Sequence, residues 1–225
     1  MRPRSASVPP DAVHHPIFAR FYARFSLAAE EQAGIAARRK ELLAGLSGRV
    51  IEIGAGNGLN FAHYPAAVSE VVAIEPERSL RALALEAASK VEVPVDVVPG
   101  VAESLPVKGE SFDAAVLSLV LCSVRDAPRA LAEVRRVLRP GGELRFFEHG
   151  RADTPGMARA QRLLDRTVWP RLFGGCHTAR SAVAALEDAG FRLGPYARFR
   201  VPERGIAMPT SYCVLGVAHR PFDEV

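Results

Sequence analysis

The chain has 225 residues, 48% of them hydrophobic and 24% charged, and 29 Lys and Arg against 25 Asp and Glu give a net charge of +4. That length and balance suit one folded domain with a complete core and exclude a largely disordered chain. The positive charge is dispersed Arg with no dense basic block and no interleaved aromatics, which excludes nucleic acid as the main partner, and no apolar run reaches the roughly 18 residues of a membrane span.

Residues 1–13, rich in Pro, Arg and Ser, read as a disordered or extended tail. From Ile17 to Leu46 the apolar residues Phe18, Phe21, Tyr22, Phe25, Leu42, Leu43 and Leu46 recur at near-helical spacing, which predicts one or two amphipathic helices within a lid segment, 14–47. The core, 48–150, then alternates. A strand at 49–53 precedes a helix from about 58, a strand at 71–75, a helix at 79–89 and a strand at 93–98. A strand at 113–118, a helix at 126–138 closed by Pro140-Gly141-Gly142, and a strand at 143–149 complete the run. The remainder, 151–225, carries a helical insert around 155–171, a helix around 178–189 stopped by Gly190, and two strands near 192–201 and 211–218. Strands alternating with helices require right-handed crossovers, so the expectation is a single α/β domain over 14–225. Its sheet is Rossmann-like and doubly wound, with seven strands, mostly parallel and with an antiparallel last strand.

In such sheets ligands sit beyond the carboxyl ends of the strands, where strand order reverses. The first strand runs through VIEI (50–53) directly into Gly54-Ala55-Gly56-Asn57-Gly58, whose glycines permit positive φ and close backbone approach. Glu52 just upstream suits a cationic amino-acid ligand better than a pyrophosphate. The spacing is GxGxG, whereas a nicotinamide enzyme more typically shows GxGxxG. Glu75 ends the second strand before Pro76, where a carboxylate accepts hydrogen bonds from both hydroxyls of a ribose. The third strand leads to Gly100-Val101-Ala102-Glu103, placed to flank an adenine, and the fourth delivers Ser118 and Leu119-Val120-Leu121-Cys122-Ser123-Val124 to the same rim. A cationic adenosyl cofactor, S-adenosylmethionine, fits these features together. The expected cofactor-binding residues are Glu52, Gly54, Ala55, Gly56, Gly58, Asn60, Glu75, Pro76, Ala102, Glu103, Ser118, Leu119 and Cys122.

The chain resembles the class I S-adenosylmethionine-dependent methyltransferases, and more closely the methyltransferase-like alkyl thiol methyltransferases. That likeness is carried by Gly58-Leu59-Asn60-Phe61 with Tyr64-Pro65, by Glu75-Pro76, by Leu119 to Val124, by Val137 to Gly142, by Glu148-His149, and by Gly175-Cys176 with Thr178 and Arg180. The resemblance implies methyl transfer to a small-molecule thiol by direct in-line displacement. Animal relatives carry an N-terminal hydrophobic anchor that this sequence lacks, so membrane attachment is not carried over. Many methyltransferases have an acid where Val101 stands, which leaves adenine contact to backbone amides or Glu103.

A thiol with a pKa near 8.5 needs little help to ionise, and an alcohol needs much more. Two histidines are candidate catalytic groups: His149, after the fifth strand, and His177, in Gly174-Gly175-Cys176-His177. Phe18, Tyr22 and Phe25 on one side and Trp169, Phe173 and Cys176 on the other are the expected walls of an apolar acceptor pocket. The cysteines, Cys122, Cys176 and Cys213, are odd in number and lack paired spacing, which argues against a disulfide framework and a structural zinc site, and no metal is expected. With no secretory segment at the N-terminus the expected location is cytoplasmic, and the protein is either a monomer or a dimer. The competing readings are O-, N- or C-methylation of a lipid-, quinone- or natural-product-like acceptor, a nucleotide-dependent oxidoreductase, and a cofactor-binding protein without turnover.

Overall fold

The computed structural model describes residues 21, 22, 26, 34–203 and 205–222. The tail, Phe18, Phe25 and half of the lid segment lie outside these residues. Its elements are α1 (Ile35–Leu43), β1 (Gly48–Ile53), β2 (Val68–Ile74), α2 (Arg78–Ala88), β3 (Val95–Val98), β4 (Phe112–Ser118), α3 (Ala127–Val137) and β5 (Leu138–His149). Then come α4 (Pro155–Arg166), α5 (Trp169–Leu172), α6 (Ala182–Asp188), β6 (Arg192–Arg200) and β7 (Tyr212–His219).

The strands form one sheet in the order β3-β2-β1-β4-β5-β7-β6. Strands β1 to β5 pair parallel, and β7 runs antiparallel to both β5 and β6, so β7 alone is reversed. The sheet is therefore the expected one: seven strands, mostly parallel, the last antiparallel. Strand order reverses between β1 and β4, and both end at the same rim.

Side chains alternate across the sheet with a period of two, and the core divides accordingly. Ile51, Ile53, Leu117 and Phe146 pack on one face with Leu131, Val134 and Leu186 of α3 and α6. Val50, Val116, Phe147 and Leu215 pack on the other with Leu42 and Leu43 of α1. The crossover helices begin where the sequence supplies caps. Asp126 accepts from the Arg129 amide at the start of α3, and Ser181 from the Ala184 amide at the start of α6.

One expected element is absent. The helix predicted from about residue 58 is a single 3-10 turn, Phe61–His63. Gly58 enters it at φ 80, outside the helical region, and Pro65 forces Tyr64 into extended backbone at ψ 131. Strand β5 also begins earlier than expected: the Pro140-Gly142 turn falls inside it, with Gly141 at φ 77 absorbed by a register shift against β4.

Candidate active site

The carboxyl ends of β1, β2 and β4 open into a cleft of about 410 Å³. Of the expected cofactor-binding residues, Gly54, Gly56, Glu75, Pro76, Ala102, Glu103, Ser118 and Leu119 line it. Gly54 and Gly56 stand at φ 71 and φ 59, conformations that exclude most side chains, and a Cβ at Gly54 would lie 2.7 Å from Val120. Glu75 is buried, with Oε2 accepting from the Gly56 amide at 2.7 Å and Oε1 from the Glu77 amide at 2.8 Å. The glycine turn and the carboxylate thus hold each other in place. Burial pushes the Glu75 carboxyl up to about 7 despite those two backbone bonds. Each carboxylate oxygen can accept a further bond, and Glu75 lines the cleft, so the set fits a ligand with neighbouring hydroxyls.

Other expected contacts are turned elsewhere. Glu52 is 1% exposed and does not line the cleft: Asn60 Nδ2 donates to Oε1 and the Tyr64 hydroxyl to Oε2, each at 2.8 Å. Arg39 of α1 completes this buried network by donating to Asn60 Oδ1 and Ser118 Oγ at 2.9 and 3.1 Å. Burial raises Glu52 to about 7 against the opposing pull of Tyr64, Asn60 and Arg39. Ala55 is core, and Gly58 is hemmed in by Ala87 and Phe61. Glu103 uses Oε1 to accept from the amides of Arg125 and Asp126 at 2.9 and 3.3 Å, so its carboxylate organises a loop at the edge of the cleft.

The opposite wall is the turn after β4, where Leu119 takes φ 61, a left-handed conformation uncommon for a branched side chain. Glu148 holds this turn. Its carboxylate is fully buried and Oε1 accepts from the amides of Val120 and Leu121, both at 2.9 Å. Arg180 clamps the turn from the other side by donating to the carbonyls of Leu121 and Val124 at 2.8 and 2.7 Å. Gly174 and Gly175 close the cleft next to Ser123 and Val124, and Tyr22 reaches it from the N-terminal segment.

Immediately behind this wall the structure brings together residues that linear spacing separates. Cys122, His149 and Cys176 place their ligand atoms within 4.8 Å of one another. Cys176 Sγ lies 3.6 Å from His149 Nδ1, and the His177 amide donates to the Cys122 carbonyl at 2.7 Å. A hydrogen bond from Cys122, opposed by burial, lowers the Cys176 thiol, while the same bond and burial raise Cys122. Neither His149 nor His177 lines the cleft. Burial and the Arg180 charge hold His177 below its ordinary value. Trp169 and Phe173 stack on each other with centroids 4.1 Å apart, also outside the lining.

Sequence reasoning missed Arg39 and the anchoring roles of Tyr64 and Glu148. A buried Arg next to Leu42 and Leu43 was the available signal for the first, because a cation on an apolar helix face must find partners.

A model of the methyltransferase domain matches residues 51–146. Thiol S-methyltransferase TMT1A of Homo sapiens is 35% identical over 77% of this chain and 75% of its own length. The chain belongs to the thiol S-methyltransferase family. Within the wider class, ubiquinone/menaquinone biosynthesis C-methyltransferase UbiE of Syntrophotalea carbinolica is 33% identical over 69% of this chain and 65% of its own. N-methyltransferase NodS of Bradyrhizobium japonicum, solved with S-adenosyl-L-homocysteine, superposes with TM-score 0.61 over 84% of this chain and 86% of its own at 14% identity, a likeness of fold. This methyltransferase uses S-adenosylmethionine, and the glycine turn with the acceptor carboxylate of Glu75 is the part of the cleft that fits it.

Proposed function

We propose that this methyltransferase transfers the methyl group of S-adenosylmethionine to the sulfur of a small, apolar thiol by direct in-line displacement. The observation that carries the proposal is the two-sided cleft, with the glycine turn and Glu75 on one wall and the apolar turn after β4 on the other. When bound, the cofactor supplies a methyl group already activated by its sulfonium charge. The backbone carbonyls of Gly54 and Gly56 would hold its amino group, Glu75 would accept from its ribose hydroxyls, and Ala102 and Glu103 would flank its base. Ser118 and Leu119 hold the reacting end, while Leu119, Val120 and Val124 exclude water from the acceptor. Alignment of the two reacting atoms accounts for much of the rate, because a thiol ionises near neutrality.

His149 is the group we assign to the acceptor side, where Cys122 and Cys176 stand next to the cleft-lining Ser123 and Gly175. His177 serves the same wall through its backbone bond to Cys122. Among the described residues no helix is long and apolar enough to cross a membrane. We place the enzyme in the cytoplasm, where its three unpaired cysteines stay reduced.

The test is S-adenosylhomocysteine release by purified protein offered thiols, phenols, amines and quinols. Turnover on apolar thiols is expected. Turnover on a phenol or amine with none on any thiol overturns the reading. Turnover on quinols alone supports carbon methylation, which the match to UbiE favours as the second reading.

A further inference from the structure

Three segments far apart in the chain deliver Cys122, His149 and Cys176 to one point, and each is held independently. His149 closes β5 in register with Cys213 of β7. Cys122 sits in the turn pinned by Glu148 and Arg180. Cys176 follows Gly175 at φ 87, with its amide bonded to the Phe173 carbonyl at 3.0 Å. Both sulfurs belong to residues at most 5% exposed. A convergence of two thiols and an imidazole fixed by the backbone on every side is the donor set of a soft divalent cation.

The distances agree. With bonds of about 2.3 Å to sulfur and 2.0–2.1 Å to nitrogen, the sulfur-nitrogen edge of a zinc tetrahedron is about 3.5 Å and the sulfur-sulfur edge about 3.8 Å. The Cys176-His149 edge is 3.6 Å, and the remaining separations, all within 4.8 Å, need to close by no more than about 1.3 Å through rotation of a thiol. A second observation favours a cation. Glu148, one residue before His149 and bonded to the turn that carries Cys122, keeps Oε2 buried with no hydrogen-bond partner. A buried acceptor oxygen without a hydrogen-bond partner next to this cluster adds acceptor capacity on the side of the two thiols.

We propose that Cys122, His149 and Cys176 bind a soft divalent cation with the ligand preference of zinc, and that its fourth position takes the acceptor sulfur. Among the described residues no further Cys, His, Asp or Glu joins the three, which leaves the open position typical of reactive rather than structural sites. The second half of the proposal rests on the thiol reading above. On binding, the acceptor thiol releases its proton to solvent and ligates as thiolate. Its lone pair then forms the bond to the methyl carbon as the carbon-sulfonium bond breaks. That electron pair stays on the departing sulfur, which becomes a neutral thioether, and the methylated product, a poorer ligand, leaves.

The test titrates reduced, chelator-stripped protein with Co²⁺, the spectroscopic stand-in for zinc. A thiolate-to-cobalt charge-transfer band that saturates at a single equivalent and is displaced by Zn²⁺ is expected. Cys122→Ser and Cys176→Ser should each remove the band and weaken binding by roughly tenfold or more, while Cys213→Ser retains it. Calorimetry with S-adenosylhomocysteine checks that each variant is folded; a variant that fails this check is replaced by Cys176→Ala or His149→Gln. No band in folded parent protein, or a band that survives both serine substitutions, overturns the site. Adding an acceptor thiol should shift the visible cobalt bands. Full thiol turnover by metal-free protein overturns the fourth-position role and leaves the thiol reading standing. A cobalt site in a protein that methylates no thiol, loaded or stripped, sinks the thiol reading alone and leaves the cation site.

Discussion

Glu75 joins two strands' ends through one carboxylate: the Gly56 amide at 2.7 Å and the Glu77 amide at 2.8 Å both donate to it. Replacing it with Ala removes the ribose partner and frees the glycine turn. Donor affinity should fall by about 1–3 kcal/mol, the scale of a charged hydrogen bond lost. Calorimetric Kd values for S-adenosylhomocysteine check this, and an unchanged value would contradict the ribose role. The same residue makes binding pH-dependent. Burial holds the empty-site carboxyl at about 7, and hydroxyl donors favour its ionised form. Below that value a proton must leave before the ligand is fully bound, so affinity rises with pH through neutrality. We expect Kd to be up to about tenfold weaker at pH 6 than at pH 8, with Glu75→Gln flattening the profile.

At the scale of elements, α4 is tied to the domain by Asp165, which accepts from the Thr178 and Ala179 amides, and by the fully buried side chain of Gln161. Its Nε2 donates to the carbonyls of Pro209, Gly150 and Thr178 at 2.8, 3.2 and 3.2 Å, and its Oε1 accepts from the Ala152 amide at 2.8 Å. Gln161→Leu keeps the bulk and leaves these groups without a partner. A loss of about 1–3 kcal/mol in urea unfolding is expected, and a loss near zero would show that Asp165 and apolar contact suffice to dock α4. This attachment was not legible in the sequence, because a Gln in a helical pattern reads as a solvated face. The strands were legible, since their apolar runs lie between turn residues. The glycine turn and Glu75 were legible too, because both are local to strand ends. Glu52 stands outside the cleft lining for a physical reason. With a period of two, Ile51 and Ile53 face one core and Glu52 the other, where Asn60 and Tyr64 reach it from a segment that a helix from 58 would have carried away. The cluster of Cys122, His149 and Cys176 was hidden because only the sheet order brings β4 beside β5 and folds the 176 turn over both.

The whole molecule carries the cost of that buried acid. Glu52 ties β1 to the Phe61–His63 turn, and Arg39 extends the tie to α1 and β4, so the network spans the centre of the domain. Its carboxyl stands at about 7 in the fold against an ordinary 4.5, because desolvation outweighs its two hydrogen bonds. The folded state therefore binds the proton more tightly than the unfolded chain. The resulting stability is complete below about 4.5, drains away as pH rises to about 7, and is flat above, a total of about 2–4 kcal/mol from this group. Urea unfolding at intervals from pH 5 to 8 should show that decline, and Glu52→Gln should remove roughly a third of it, because burial holds Glu75 and Glu148 at about 7 as well. An undiminished decline in Glu52→Gln would show that Glu52 does not carry its share. Glu75 adds a contribution of the same sign in the free protein, but bound S-adenosylhomocysteine draws that carboxyl into its ionised form. Saturating ligand should consequently raise the unfolding free energy more at pH 8 than at pH 6. Glu52, sealed from the cleft by Asn60 and Tyr64, keeps its own pH dependence whether ligand is present or not.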